Sequence, residues 1–251
     1  MYEYISVWSI AKKKRHEPYV PSCLIEELGK IFKNLTVLPL SYLAYCTIEK
    51  YPVNVQADII DHFRASMLLP YYAQLPKYMA PLVSEVRQIF QFKENIVDES
   101  QRLLQNASKG VKNITYVGVH VRRTDYINHL NVLYNASMVK ADFFLRQMDL
   151  LRNKYKPIIF VVVSDDSKWC ERELQGDDVV VMKTNSPVPD LAIMAACNHS
   201  IIDYGTYGMW EAILSGGDTF VYNLTNSRCI YSVFSFTHLH YICSFLAALV
   251  V

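Results

Sequence analysis

Three short stretches place charged and hydroxyl side chains directly behind runs of apolar residues. The first is His120-Val121-Arg122-Arg123-Thr124-Asp125-Tyr126, which ends the run ITYVGVHV. Two adjacent arginines behind a buried strand are hard to desolvate unless paired, and a forked guanidinium matches phosphate oxygens in a bidentate geometry. The same residues also fit a structural arrangement, with one arginine bound to Asp125 and the other solvated. The second stretch is Ser164-Asp165-Asp166-Ser167, behind IIFVVVS. Its carboxylates can accept hydrogen bonds from a ribose or a base, bind a metal, or cap the next helix, and capping is the commonest of these roles. The third is Gly205-Thr206-Tyr207-Gly208, behind SIIDY. Glycine lets backbones approach closely, and Thr206 beside the free N–H groups of a helix start suits a phosphate, although Gly-Thr also opens many ordinary helices.

What is absent narrows the chemistry. No D-x-D occurs, so a metal clamp for a sugar diphosphate lacks support and no metal is expected. The patterns G-x-G-x-x-G, G-x-x-x-x-G-K-[ST], H-E-x-x-H and G-x-S-x-G are missing as well. That disfavours dinucleotide-dependent dehydrogenases, P-loop NTPases, zincins and α/β-hydrolases. A phosphate site without those loops leaves nucleotide-sugar chemistry as a natural candidate.

The elements that must position these residues follow from periodicity. Up to about residue 112 the patterns are mainly helical, at 2–14, 21–33, 80–92 and 95–108. From residue 113, short Val/Ile runs alternate with helical patterns: strands at 114–121, 158–164, 178–182, 200–204 and 218–222, helices at 140–155, 168–174, 190–197 and 206–214. Near-continuous apolar runs separated by helices mark a parallel sheet buried on both faces. In such a doubly wound α/β domain the ligand sits outside the carboxyl ends of the strands, which is where the three stretches fall. The expected organisation is a helix-rich N-terminal domain at 1–112, an α/β domain at 113–225 and an apolar C-terminal segment at 226–251. Trp169, Trp210, Tyr204 and Met209 fall on apolar faces and are expected in the core. The basic run Lys12 to Arg15 reads as a solvated helix end that complements the helix dipole.

Composition fits a globular α/β enzyme and a β-rich domain equally and does not choose between them. The chain has 251 residues, 25 Lys+Arg against 24 Asp+Glu, and 51% hydrophobic residues. This excludes a disulfide-stapled miniprotein and a disordered tail, and the near-zero net charge argues against a nucleic-acid partner. Six cysteines occur without C-x-x-C spacing, which removes zinc-ribbon and thioredoxin-like readings; a disulfide between Cys170 and Cys197 is compatible with their placement in the pattern. The glycan acceptor pattern N-x-[ST] occurs at Asn34, Asn106, Asn113, Asn135, Asn198 and Asn223. About one or two would arise by chance, so the excess favours a lumenal or extracellular setting. Asn198 lies in the apolar run AACNHSII and is expected to be inaccessible. The first residues lack the order and cleavage site of a signal peptide. Residues 230–251 carry no Asp, Glu, Lys or Arg over 22 positions, long enough either to cross a bilayer or to form a buried terminal helix.

VGVHVRRTDY (117–126), FVVVSDDSKWC (160–170) and DLAIMAACNHSIIDYGTYGMWEAILSGGDTFVYN (190–223) closely resemble, in order and spacing, the motifs of the galactoside α-1,2-fucosyltransferases. RHEPYVPSCLIEELGKIF and YYAQLPKYM (71–79) resemble that family's upstream segments, with Leu75 and Pro76 departing from it. The resemblance implies a GT-B-like α/β fold of two Rossmann-like domains, with the nucleotide-sugar site in the C-terminal one. It implies GDP-L-fucose as donor, a galactose-terminated glycan as acceptor, transfer to the 2-hydroxyl with inversion, and a lumenal catalytic domain at the Golgi membrane. Arg123 and Arg122 would hold the diphosphate, His120, Asp166 and Asp190 would lie near ribose or guanine, and Thr206 near the phosphates. The general base is open, with Asp125 and His129 the candidates. Two departures accompany it: the family's first strand and Gly-Asn loop have no counterpart here, and similarity fades after Asn223. The chain is therefore expected to lack part of its first domain, with membrane association through an absent segment or the C-terminal apolar run. The alternatives are an inactive nucleotide-sugar- or carbohydrate-binding relic, or a fucosyltransferase of another linkage.

Overall fold

Thr115–Val121, Ile158–Ser164, Val179–Val181, His199–Ile202 and Thr219–Val221 (β3, β4, β5, β6 and β7) hydrogen-bond in parallel, and antiparallel Ser232–Phe234 (β8) closes one edge. The computed structural model describes residues 1–43, 69, 76–184, 186–222 and 232–234. The strand order is β5-β4-β3-β6-β7-β8. Counted from β3, the order is 3-2-1-4-5-6, the doubly wound arrangement whose strand order reverses between β3 and β6. The apolar runs read from the sequence are these strands, each within a few residues of its expected limits.

The β3 alternation decides what faces what. Val117, Val119 and Val121 point into one core layer with Phe143, Phe144, Met148 and Leu151 of α7 (Ala141–Lys154). Gly118 and His120 point to the other face, as period two requires. A Cβ at Gly118 would lie 2.7 Å from the Met194 side chain of α9 (Pro187–Ala195), so glycine is what lets that helix close on the sheet. α5 (Glu94–Ala107) joins the same layer: Leu104 packs with Val161, Ile193 and Cys197, and Tyr116 donates its hydroxyl proton to the Leu104 carbonyl. The compact units divide between Lys93 and Glu94, so this helix belongs to the second unit although the composition shift lies near residue 113.

Two expectations are corrected here. Cys170 and Cys197 are both buried free thiols, one in each core layer on either side of the sheet, and so cannot pair. Asn198 is exposed rather than inaccessible, because it stands at the N-terminal rim where β6 begins; its Oδ1 accepts the Tyr116 N–H at 2.9 Å.

In the first unit, α1 (Tyr2–Lys14) buries Tyr4, whose hydroxyl oxygen accepts the N–H groups of Thr36 and Val37 at 2.8 and 2.9 Å. Phe90 packs between Tyr4 and Phe32 in the same core, its ring tilted against both. Tyr19–Val20 (β1) and Leu38–Pro39 (β2) form a parallel pair, with α2 (Ser22–Gly29) between them in the chain. α3 (Pro76–Met79) and α4 (Val83–Ile89) follow, the expected helix at 80–92 being shorter at both ends. The basic residues Lys12, Lys13 and Lys14 occupy the last turn of α1, with Lys12 paired to Glu85. Among the described residues no helix is long and apolar enough to cross a membrane. Most of the apolar run 230–251, residues 71–75 of the YYAQLPKYM stretch and Asn223 lie outside the described residues.

Phe144 is fully buried beneath β3 and β4, whereas Val132 is 78% exposed. Phe144→Ala should cost about 3–5 kcal/mol of unfolding free energy in denaturant titrations. Val132→Ala should stay within about 0.5 kcal/mol.

Candidate functional site

The chain leaves β3 at Val121, and its next three backbone amides are claimed by acids from the two neighbouring strands. Asp203, immediately behind β6, accepts the Arg122 N–H through Oδ2 at 2.7 Å and the Tyr204 N–H through Oδ1 at 2.7 Å. Asp165, immediately behind β4, accepts the Arg123 N–H at 2.8 Å, the Thr124 N–H at 3.0 Å and the Thr124 hydroxyl at 2.6 Å. The β3 exit is thus fastened on both sides, and the side chains of Arg122 and Arg123 leave from a fixed backbone. Asp203 is 1% exposed; burial pushes its carboxyl up, while His120 and the two amides pull it back down.

The two arginines differ in their partners. Arg122 binds Asp125 with Nε at 2.8 Å and the second terminal nitrogen at 2.6 Å, the bidentate pairing anticipated as the structural arrangement. Hydrogen bonds from Arg122 hold the Asp125 carboxyl below the usual carboxylate range. In this state Asp125 is a weak base. Arg123 lies with its guanidinium carbon 4.0 Å from the centroid of Trp169, and its Nε is 3.5 Å from Asp166 Oδ2 but makes no hydrogen bond. One arginine therefore keeps a buried N–H donor open, held in place by an indole face and a nearby carboxylate. Asp166 caps α8 (Ser167–Glu173), accepting the Trp169 N–H at 3.1 Å, so capping is what it does here.

His120 is 3% exposed, its Nδ1 3.4 Å from Asp203 Oδ1. It lies against Gly208 of α10 (Thr206–Ser215): a Cβ there would come within 2.7 Å of Nδ1. Gly205 precedes the helix at φ +92°, a conformation open to glycine, and a side chain there would meet the Tyr126 hydroxyl at 3.2 Å. Thr206 follows as the first residue of α10, half-exposed, next to Tyr207, whose ring is 5.7 Å from His120 and whose hydroxyl donates to the Pro187 carbonyl. Asp190, on the first turn of α9, accepts from the Thr184 hydroxyl; burial raises its carboxyl, with Thr184 and His120 opposing. His129 is drawn in from α6 (Tyr126–Tyr134), its ring 4.8 Å from Tyr126, which stacks on Tyr204 at 4.9 Å.

These distances link His120, Arg122, Arg123, Asp125 and Asp166 through direct contacts at the ends of β3, β4 and β6. Asp190 and Thr206 approach on α9 and α10. Asp165, Asp203 and Glu211 carry parts the sequence reading did not assign, and Trp169, expected in the core, serves as the platform under Arg123. Tyr204, Met209 and Trp210 are buried as expected. The one sign of Asp203 in the sequence is a carboxylate that ends an apolar strand run, SIID. Among the described residues no cluster of three or more His, Cys, Asp or Glu is arranged to hold a metal.

A guanidinium pair fixed at the switch point of a doubly wound sheet has the chemistry to meet an anion. The family model described as glycosyl transferase family 11 matches residues 55–231. The chain belongs to glycosyl transferase family 11. It is 29% identical over 232 residues to galactoside 2-alpha-L-fucosyltransferase SEC1 of Bos taurus, covering 87% of this chain and 62% of that protein. It is likewise 29% identical over 231 residues to galactoside alpha-(1,2)-fucosyltransferase 2 of Oryctolagus cuniculus, covering 64% of it. The chain thus spans a little under two thirds of the length of these relatives. In fold it is similar to the NodZ alpha-1,6-fucosyltransferase, in a crystal soaked with GDP-fucose, at a TM-score of 0.52 and 14% identity over 93% of this chain and 94% of that one. The fucosyltransferase NodZ from Bradyrhizobium aligns equally well, with a TM-score of 0.51 and 13% identity over 91% of each chain. The family membership and the mixed α/β fold expected from the motifs are both found.

Asp165→Ala should free the β3 exit without disturbing the strand. Amide hydrogen exchange at Arg123 and Thr124 should accelerate by about tenfold or more, a loss of about 1–3 kcal/mol of local stability. The Val119 amide should keep its protection, since its ladder partners in β4 and β6 are untouched.

Proposed function

We propose that this chain transfers L-fucose from GDP-β-L-fucose to the 2-hydroxyl of a galactoside, with inversion. The observation that carries the reading is the pair Arg122 and Arg123, fixed at the carboxyl ends of β3 and β4 beside the β3/β6 switch point, with the Arg123 Nε–H unpaired. The names of the relatives supply the sugar and the linkage; the residues supply the reason such a site suits a nucleoside diphosphate.

Breaking the bond from the fucose anomeric carbon to the diphosphate leaves growing negative charge on GDP and a cation-like sugar. Charge that develops in the transition state is best met by donors already in place. Arg123 is in place: Trp169 and Asp166 hold it, and its Nε–H is not committed to a hydrogen bond. Arg122 joins by exchanging Asp125 for phosphate oxygen. An exposed ion pair contributes only about 0–1 kcal/mol, so the exchange is easy. Asp125, once released, would recover ordinary basicity and could accept the proton of the acceptor hydroxyl. His120 and Asp190, with Asp166, would line the nucleoside side, and Thr206 the phosphates at the start of α10. Two guanidinium groups give the leaving diphosphate the charge that a metal gives elsewhere, so none is needed. A GT-B-like arrangement of two Rossmann-like domains, lumenal orientation at the Golgi membrane, and anchorage through a further segment or the run 230–251 complete the reading.

Transfer of labelled fucose from GDP-fucose to lactose tests it. Turnover that is unchanged by EDTA and falls at least tenfold in Arg123→Ala, with the variant still folded, is the expected result. GDP binding without turnover on any acceptor would select a nucleotide-sugar-binding protein instead, and turnover only on a core N-glycan or protein acceptor would select another linkage.

A further inference from the structure

Glu211 is a buried titratable group to which the proposed donor site gives no task. Its side chain is 0% exposed, and neither carboxyl oxygen has a hydrogen-bond partner. A carboxyl in such a place is strongly disfavoured unless something compensates it. Its neighbours on α10, Met209, Trp210, Ala212 and Ile213, are buried apolar residues, so packing alone does not call for an acid. Position supplies the compensation. Glu211 stands one turn beyond Gly208, the point at which the helix backbone touches the His120 ring, and residues three apart share a helix face. His120 Nδ1 is itself buried and without a hydrogen bond, 3.4 Å from Asp203 Oδ1. The imidazole is therefore enclosed between a carboxyl group at the β6 exit and the acid-bearing face of α10.

We infer that Glu211 is a positioning residue of the donor site: it holds His120 as an imidazolium against α10 and so keeps positive charge at the β3 exit, where an anionic diphosphate would bind. The inference rests on the donor-site reading above. The other ionisable groups facing the pair are Asp203, Asp190 on α9, Cys197 beyond it, Tyr207 on α10 and Arg122. Burial opposes charge on His120, but Glu211 and then Asp203 outweigh it and raise the group to about 9, with Arg122 opposing. Burial raises the Glu211 carboxyl to about 8, while His120 pulls it down and Asp190 and Asp203 add to the rise. Each group's charge favours that of the other, so the carboxylate–imidazolium form is the one in which the two buried charges compensate. Replacing the acid by an amide removes the nearby charge that most strongly retains the imidazole proton. His120 should then deprotonate at lower pH, and anion binding should weaken at lower pH with it.

Two measurements on the full chain test this, with wild type, Glu211→Gln and the smaller Glu211→Ala compared. The His120 ring signals, assigned with His120→Gln, are followed by NMR from about pH 6 to about pH 10. GDP affinity is measured by calorimetry over the same range. His120 should titrate near 9 in the wild type and at least about one unit lower in both variants. GDP affinity should be alike at about pH 6, and in the variants its alkaline decline should begin about one unit earlier. Folded variants whose His120 titration and GDP profile match the wild type overturn the inference while leaving the donor reading intact. A shifted His120 titration in a protein that binds GDP at no pH overturns the donor reading and, with it, the positioning role.

Discussion

The β3 exit is held by two carboxylates that belong to neither of its own residues nor to each other's strand. Asp203 reaches over from β6 and Asp165 from β4, and together they accept three consecutive backbone N–H groups and a hydroxyl. A strand that ends in two arginines would otherwise present a loop with unpaired donors and two mobile cations. Charge-assisted bonds to backbone amides are among the stronger ones a protein makes, and here they convert a loop into an extension of the sheet. Everything near the switch point inherits its position from them. Arg122 can reach Asp125, Arg123 can lie on Trp169, and His120 can sit one residue inside the strand against α10, because the backbone between these side chains is tied to both neighbouring strands.

That arrangement also explains why two faces of one strand behave differently. Valines at 117, 119 and 121 bury against α7 and carry the core. The intervening positions face α9 and α10, where Gly118 admits Met194 and His120 admits only a glycine opposite it. The chemistry and the packing are interleaved at single-residue spacing, so a register shift of one residue would exchange them.

The strand runs of the second unit were legible because a sheet covered on both faces needs continuous apolar segments, and the arginine pair because it directly follows one. Asp166 as a helix cap was legible from local pattern as well. What escaped was whatever depends on partners distant in sequence. Asp165 and Asp166 are adjacent and chemically identical, yet one fastens a loop 41 residues away and the other caps its own helix. Asp203 reads as the polar end of a strand until β6 is known to lie beside β3. Glu211 drew no reading at all, since nothing local reveals that α10 is buried all round there. Asn198 and the helix α6 escaped for the opposite reason: both sit where an apolar local pattern meets the rim of the sheet, and exposure there is set by where neighbouring elements stop.

The same residues give the near-zero net charge of the chain a local meaning. Around the β3 exit, Arg122, Arg123 and His120 stand among Asp125, Asp165, Asp166, Asp203 and Glu211, so the site is not a basic patch. The acids fall into two kinds. Asp165 and Asp203 are consumed by backbone amides and cannot be displaced without loosening the loop. Asp125, with its side chain 59% exposed, holds Arg122 only by a surface ion pair. On the proposed reading a diphosphate competes only with this last, weakly held acid, while the others keep the cations oriented before it arrives. Orientation in advance, rather than accumulated positive charge, is then what the site contributes to binding, because the ordering of the arginines has already been met by folding.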